Sequence, residues 1–145
     1  MRELRGFLRK AKAAVGLHGE VSVLLATDSS IRILNRDFRK KDKATDVLSF
    51  PADAAHPDPK VSGDLAISLD TARRQAEEQG HSLQMELKVL LLHGVLHLAG
   101  LDHESDTGQM ARKESALRKQ LDLPTGLIQR SKALKKKMQR VRSRA

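Results

Sequence analysis

Apolar residues recur along the chain with two periods, and these lay out its elements. Leu4, Phe7, Leu8, Ala11 and Val15 fall on one face of a helix over the first ~15 residues. Gly16 and Gly19 punctuate its end. Val21, Val23 and Leu25 then alternate as in a buried strand. Thr27-Asp28-Ser29 supplies N-cap residues for a helix carrying Ile31, Leu34 and Phe38. A second strand is expected from Thr45 to Phe50, stopped by Pro51. A Pro/Asp/Ala loop follows from Ala52 to Lys60. Gly63 to Leu69 predicts a third strand, with Leu65, Ile67 and Leu69 on one face.

Asp70-Thr71 opens the next helix and Gly80 closes it. Ser82 caps a central helix over roughly residues 83 to 99, apolar on most sides and therefore expected to be buried. Gly100 ends it with a left-handed turn. Asp106 and Gln109 resemble a capping pair for a last helix reaching about Leu121. Pro124 and Gly126 mark the boundary with a basic tail. Helices alternating with strands indicate one α/β or α+β layer domain, residues 1–123, followed by a tail, 124–145. At 145 residues the chain suits one hydrophobic core.

Charge sharpens this division. Of the 27 Lys and Arg residues, eight lie in the tail (Arg130, Lys132, Lys135, Lys136, Lys137, Arg140, Arg142 and Arg144), where no acidic residue stands. The remainder is nearly balanced against 18 Asp and Glu. Such a tail suits a nucleic-acid arm, a solvated terminus or an anionic membrane surface. The longest apolar run, Val89-Leu90-Leu91-Leu92, is far short of a membrane span. The N-terminus carries early charges at Arg2, Glu3 and Arg5 and lacks the apolar stretch expected of a secretory signal, so a cytoplasmic protein is the default reading. Cysteine is absent, so a metal would rest on His, Asp or Glu.

The candidate chemistry lies in His93-Gly94-Val95-Leu96-His97-Leu98-Ala99-Gly100-Leu101-Asp102-His103, which holds three of the six histidines. His93 and His97, four apart on a helix, sit about 40° apart around the axis and one turn apart along it. Gly100 lets the chain reverse so that His103 approaches from a third direction. Three neutral imidazoles suit one Zn2+ per chain with a coordination position left for water. A lone histidine in an apolar helix is ordinarily a packed core residue; three with this spacing are hard to explain as packing, since each unpaired buried imidazole costs about 1–3 kcal/mol. The spacing is that of the metzincin metalloproteases. Those enzymes carry a Glu general base after the first His, and here that position is Gly94, which speaks against peptide hydrolysis.

The same segment resembles the signature of the YbeY family of bacterial endoribonucleases, or rRNA maturation factors. Asn35 to Pro51, read as N…R-x-K-D-x-x-T-D-V-L-S-F-P, and Gly63-Asp64-Leu65-Ala66-Ile67-Ser68 are similar to further family segments in order and spacing. The resemblance covers roughly residues 20 to 120. It implies a mixed four-stranded sheet with about five helices, and zinc on His93, His97 and His103. It implies metal-dependent cleavage of single-stranded RNA in small-subunit rRNA 3′-end maturation and ribosome quality control, with the small subunit and assembly factors as partners. Arg39 matches the family arginine of the active site.

With three Phe, no Tyr and no Trp, the chain offers few stacking platforms. RNA contacts are expected mostly at phosphate, through Arg36, Arg39, Lys40, Lys41, Lys43 and the tail. Asp102 is a candidate to orient His103. Asp64 is expected to precede a strand, and Thr45 and Asp46 to close a helix-to-strand connection. His18, His56 and His81 fall in loop-like, solvated contexts. The alternative to an endoribonuclease is a zinc-stabilised RNA-binding assembly factor with little catalysis of its own.

Overall fold

The computed structural model describes residues 2–52, 60–101 and 107–124. Its elements run α1 (Arg2–Val15), β1 (Glu20–Ala26), α2 (Asp28–Arg39), β2 (Val47–Pro51), β3 (Val61–Ser68), α3 (Leu69–Gln79), α4 (Leu83–Leu98) and α5 (Gln109–Gln120). The sheet has the order β1-β3-β2, with β1 parallel and β2 antiparallel to β3. The α+β class and the five helices are as expected. Among the described residues the mixed sheet has three strands, not four. Only three runs of this chain carry strand patterning, and the fourth strand was implied by resemblance alone.

Alternation along the strands divides the interior between the two faces of the sheet. Val21, Leu65 and Ile67 face a large core shared with α1, α4 and α5. Leu48 and Ala66 face the other way, against Ile31 of α2, with Leu34 and Phe50 beside them. The helix α4 runs through the large core, and Leu90, Val95 and Leu96 are fully buried. Its amphipathic period is absent because nearly every side is covered.

Caps explain most helix boundaries. Thr27 and Ser82 accept hydrogen bonds from Ser30 N (3.2 Å) and Met85 N (3.1 Å), as their positions predict. Several expected boundaries shift: β2 starts at Val47 and includes Pro51, which does not stop it, and β3 starts at Val61. Leu69 belongs to α3 and not to the third strand, because Ser68 is its N-cap, its hydroxyl accepting from Thr71 N at 3.2 Å. The last helix starts at Gln109 after Gly108, which has φ +97° and gives no side-chain cap. Asp106 lies outside the described residues, as do most of the 52–60 loop and the basic tail.

Candidate active site

The site begins with the burial of α4. This helix carries His93 into the protein, 8% exposed, while His97, one turn on, is half-buried. Their Nε2 atoms are 3.2 Å apart, with ring planes inclined at 70°. Two nitrogens on one tetrahedral zinc, each bonded at ~2.0–2.1 Å, would be about 3.3 Å apart. The spacing therefore fits a shared ion. The other nitrogen of His93, Nδ1, is 2.8 Å from Oε2 of Glu114 on α5, and the carboxylate is buried. A carboxylate there favours the tautomer with hydrogen on Nδ1, which turns the Nε2 lone pair toward His97.

Among the described residues no three His, Asp or Glu converge as a complete metal site. The expected third ligand, His103, lies outside the described residues, as do Asp102 and His56. The left-handed turn expected at Gly100 is present: α4 ends at Leu98, Ala99 caps it, and Gly100 takes φ +92°, its N–H donating to His97 O at 3.0 Å.

Gly94 has a packing reason. A Cβ at this position would stand 2.7 Å from Cδ2 and 3.0 Å from Cδ1 of Leu65, so α4 lies directly on β3. A larger side chain, including the glutamate of the metzincin pattern, has no space here. The residue after the first histidine faces the sheet.

Arg39 occupies the last position of α2. Its guanidinium donates to the carbonyl of Ser49 in β2, and its Cζ is 5.8 Å from the centre of the Phe50 ring. The Ser49 hydroxyl in turn donates to Gly94 O at 3.3 Å. Through Ser49, Arg39 is tied to the residue adjoining His93 in the chain. Arg36, Lys40, Lys41 and Lys43 are exposed on the same stretch. The buried Asn35 organises that stretch, with its side-chain amide donating to Lys43 O at 2.9 Å and its backbone carbonyl accepting from Lys41 N at 3.2 Å. Lys40 caps α2 at φ +58°. Arg36 pairs with Asp37 at 3.1 Å on the surface.

Several polar groups depart from their sequence reading. His81 is not solvated; its Nε2 lies 2.6 Å from Oε1 of the fully buried Glu86. A lone glutamate in an apolar helix was the available signal. Asp64 lies within β3, not before it. Asp46 closes the α2-to-β2 connection as expected, accepting from Val47 N at 2.8 Å, and it also accepts from Gln75 Nε2 at 3.2 Å, a joint between β2 and α3. Asp28 accepts from Ser68 Oγ (2.5 Å), Thr71 Oγ1 (2.6 Å) and Arg74 Nη2 (2.8 Å). These bonds, the Ser68 hydroxyl's foremost, hold its carboxyl down at about 2. The cluster locks the start of α2 to the start of α3 and lies outside the histidine site.

A family described as Endoribonuclease YbeY matches residues 2–122. Two relatives of that name are similar over 86% of this chain: one from Koribacter versatilis, 54% identical with 80% of its length covered, and one from Solibacter usitatus, 52% identical with 81% covered. The solution structure of a Thermotoga maritima protein superposes with a TM-score of 0.56 at 29% identity, over 81% of this chain and 80% of that one.

Proposed function

The chain belongs to the YbeY endoribonuclease family, and we propose that it is a zinc-dependent, single-strand-specific endoribonuclease that matures the 3′ end of small-subunit rRNA. The proposed setting is the cytoplasm, with the small subunit and assembly factors as partners and a role in ribosome quality control. No described helix is long and apolar enough to cross a membrane.

The observation that carries the metal reading is the 3.2 Å approach of the His93 and His97 Nε2 atoms, with Glu114 on the far side of His93. These two nitrogens and His103 would hold the ion. Bound there, zinc would supply Lewis-acid chemistry, acidifying a water and polarising a phosphoryl oxygen. The protein's own groups do the rest. Glu114 holds the His93 proton on Nδ1. Arg39 spends one donor on Ser49 O, and a guanidinium has five, so its other N–H groups serve a phosphate oxygen as charge develops. Arg36, Lys40, Lys41 and Lys43 bind neighbouring phosphates.

The test is cleavage of single-stranded RNA by His97→Ala and Arg39→Ala variants, with metal analysis of the wild type. Loss of activity in both, and about one zinc per chain, is the expected result. Wild-type activity in nuclease-free preparations of both variants sinks the reading.

A second reading is favoured by Gly94, whose packing against Leu65 leaves no room for a general base at the position after His93. In it the zinc only stabilises an RNA-binding assembly factor. Chelation that unfolds a protein with no detectable cleavage would select this reading.

A further inference from the structure

Phe38 is 69% exposed, the most exposed large apolar side chain among the described residues. By spacing it continues the buried stripe of α2, four residues after Leu34 and seven after Ile31, yet it emerges from the protein at the end of the helix. Phe50 of β2 supports it from one side, with ring centres 5.7 Å apart and planes at 74°. Arg39, the next residue, lies with its Cζ 5.8 Å from the centre of that same Phe50 ring. The same stretch of chain, residues 36–43, carries the exposed cations Arg36, Lys40, Lys41 and Lys43. A bare aromatic face next to Arg39, on a cation-rich stretch of chain, matches a ligand that is planar and apolar in one part and anionic in the next. A nucleotide in a single strand is such a ligand. An apolar protein surface would match the ring but not its surroundings.

We propose that Phe38 is the platform on which one base of a single-stranded RNA substrate stacks, beside Arg39, which takes the neighbouring phosphate. The edge contact with Phe50 holds the ring in place, so little side-chain freedom is lost when a base lands. Selection for single strands follows, because bases in a duplex have both faces covered. To RNA contacts expected mostly at phosphate this adds one base contact. This inference rests on the endoribonuclease reading and adds the base-contacting residue to it.

Stacking on one aromatic ring is worth about 1–3 kcal/mol per base, or roughly 5- to 150-fold in affinity. The experiment uses the full chain with Phe38→Leu and Phe38→Trp. Leucine keeps the apolar bulk and removes the aromatic face. The chain has no Trp and no Tyr, so an indole at position 38 is a lone reporter. Short oligoadenylate and an abasic ribose-phosphate strand of equal length are mixed with each variant, and binding is read before turnover. The expected result is quenching of the tryptophan by oligoadenylate but not by the abasic strand. Phe38→Leu should weaken oligoadenylate binding by 5-fold or more and raise KM more than it lowers kcat, with an unchanged melting temperature. Equal binding by Phe38→Leu and wild type, or equal quenching by both strands, overturns the stacking proposal while leaving a cleaving wild type as a nuclease. A wild type that neither binds nor cleaves RNA overturns both.

Discussion

Glu114 of α5 and His93 of α4 meet at 2.8 Å inside the protein. A carboxylate in this position makes the histidine a better ligand and fixes which nitrogen is presented. Glu114→Gln keeps the shape and loses the charge. Its zinc affinity should fall about 10- to 100-fold, measured by competition with a chromophoric chelator. Unchanged affinity in a folded variant would deny Glu114 this positioning role.

Gly94 and Leu65 describe the packing that sets α4 on the sheet. Gly94→Ala places a methyl group 2.7 Å from Leu65 Cδ2. The expected cost is about 1–3 kcal/mol of stability, read by denaturant unfolding. Leu65→Ala alone should also destabilise, by opening a cavity in the core. The double variant should cost less than the two singles combined, because the truncated side chain makes room for the methyl. Additive costs would show that the clash is relieved elsewhere.

Much of the site could be read in the sequence because it is local. His93, Gly94 and His97 share one helix, and helical geometry alone puts the two imidazoles together. Thr27 and Ser82 likewise act within three residues of themselves. The parts that were missed join distant positions. Glu114 meets His93 across 21 residues, and Asp28 collects Ser68, Thr71 and Arg74 from 40 to 46 residues away. No periodicity encodes such meetings. Phe38 shows another limit. Its spacing assigns it to the buried stripe of α2, and only the three-dimensional extent of the sheet reveals that the stripe outruns its cover.

The Asp28 cluster makes a pH-dependent contribution with a definite sign. Its carboxyl sits at about 2 in the folded protein against an ordinary 3.8. Folding therefore favours the ionised form, and the stabilisation is fully present above the unfolded value. It is lost as pH falls from about 4 toward 2. Asp28→Asn removes this titration. Melting temperatures of wild type and variant should differ most at neutral pH and converge in that acid window. A constant difference across it would mean that the cluster stabilises by packing rather than by charge.

Lys40 holds φ +58° as the cap of α2, a conformation that glycine adopts without steric cost. Its N–H donates to Arg36 O at 3.1 Å, and the Lys41 N–H donates to Asn35 O, so the turn is set by the backbone. Lys40→Gly should therefore leave the turn intact and change stability by no more than about 1 kcal/mol, in the stabilising direction where relief of strain exceeds the added freedom of the unfolded chain. The charge should matter instead to RNA. If the Lys40 ammonium contacts a phosphate, its loss reduces the slope of log affinity against log salt by about 0.7 for a single strand. Binding titrations at several salt concentrations measure this directly. An unchanged slope would place Lys40 outside the RNA path and leave Arg36, Lys41 and Lys43 to carry it.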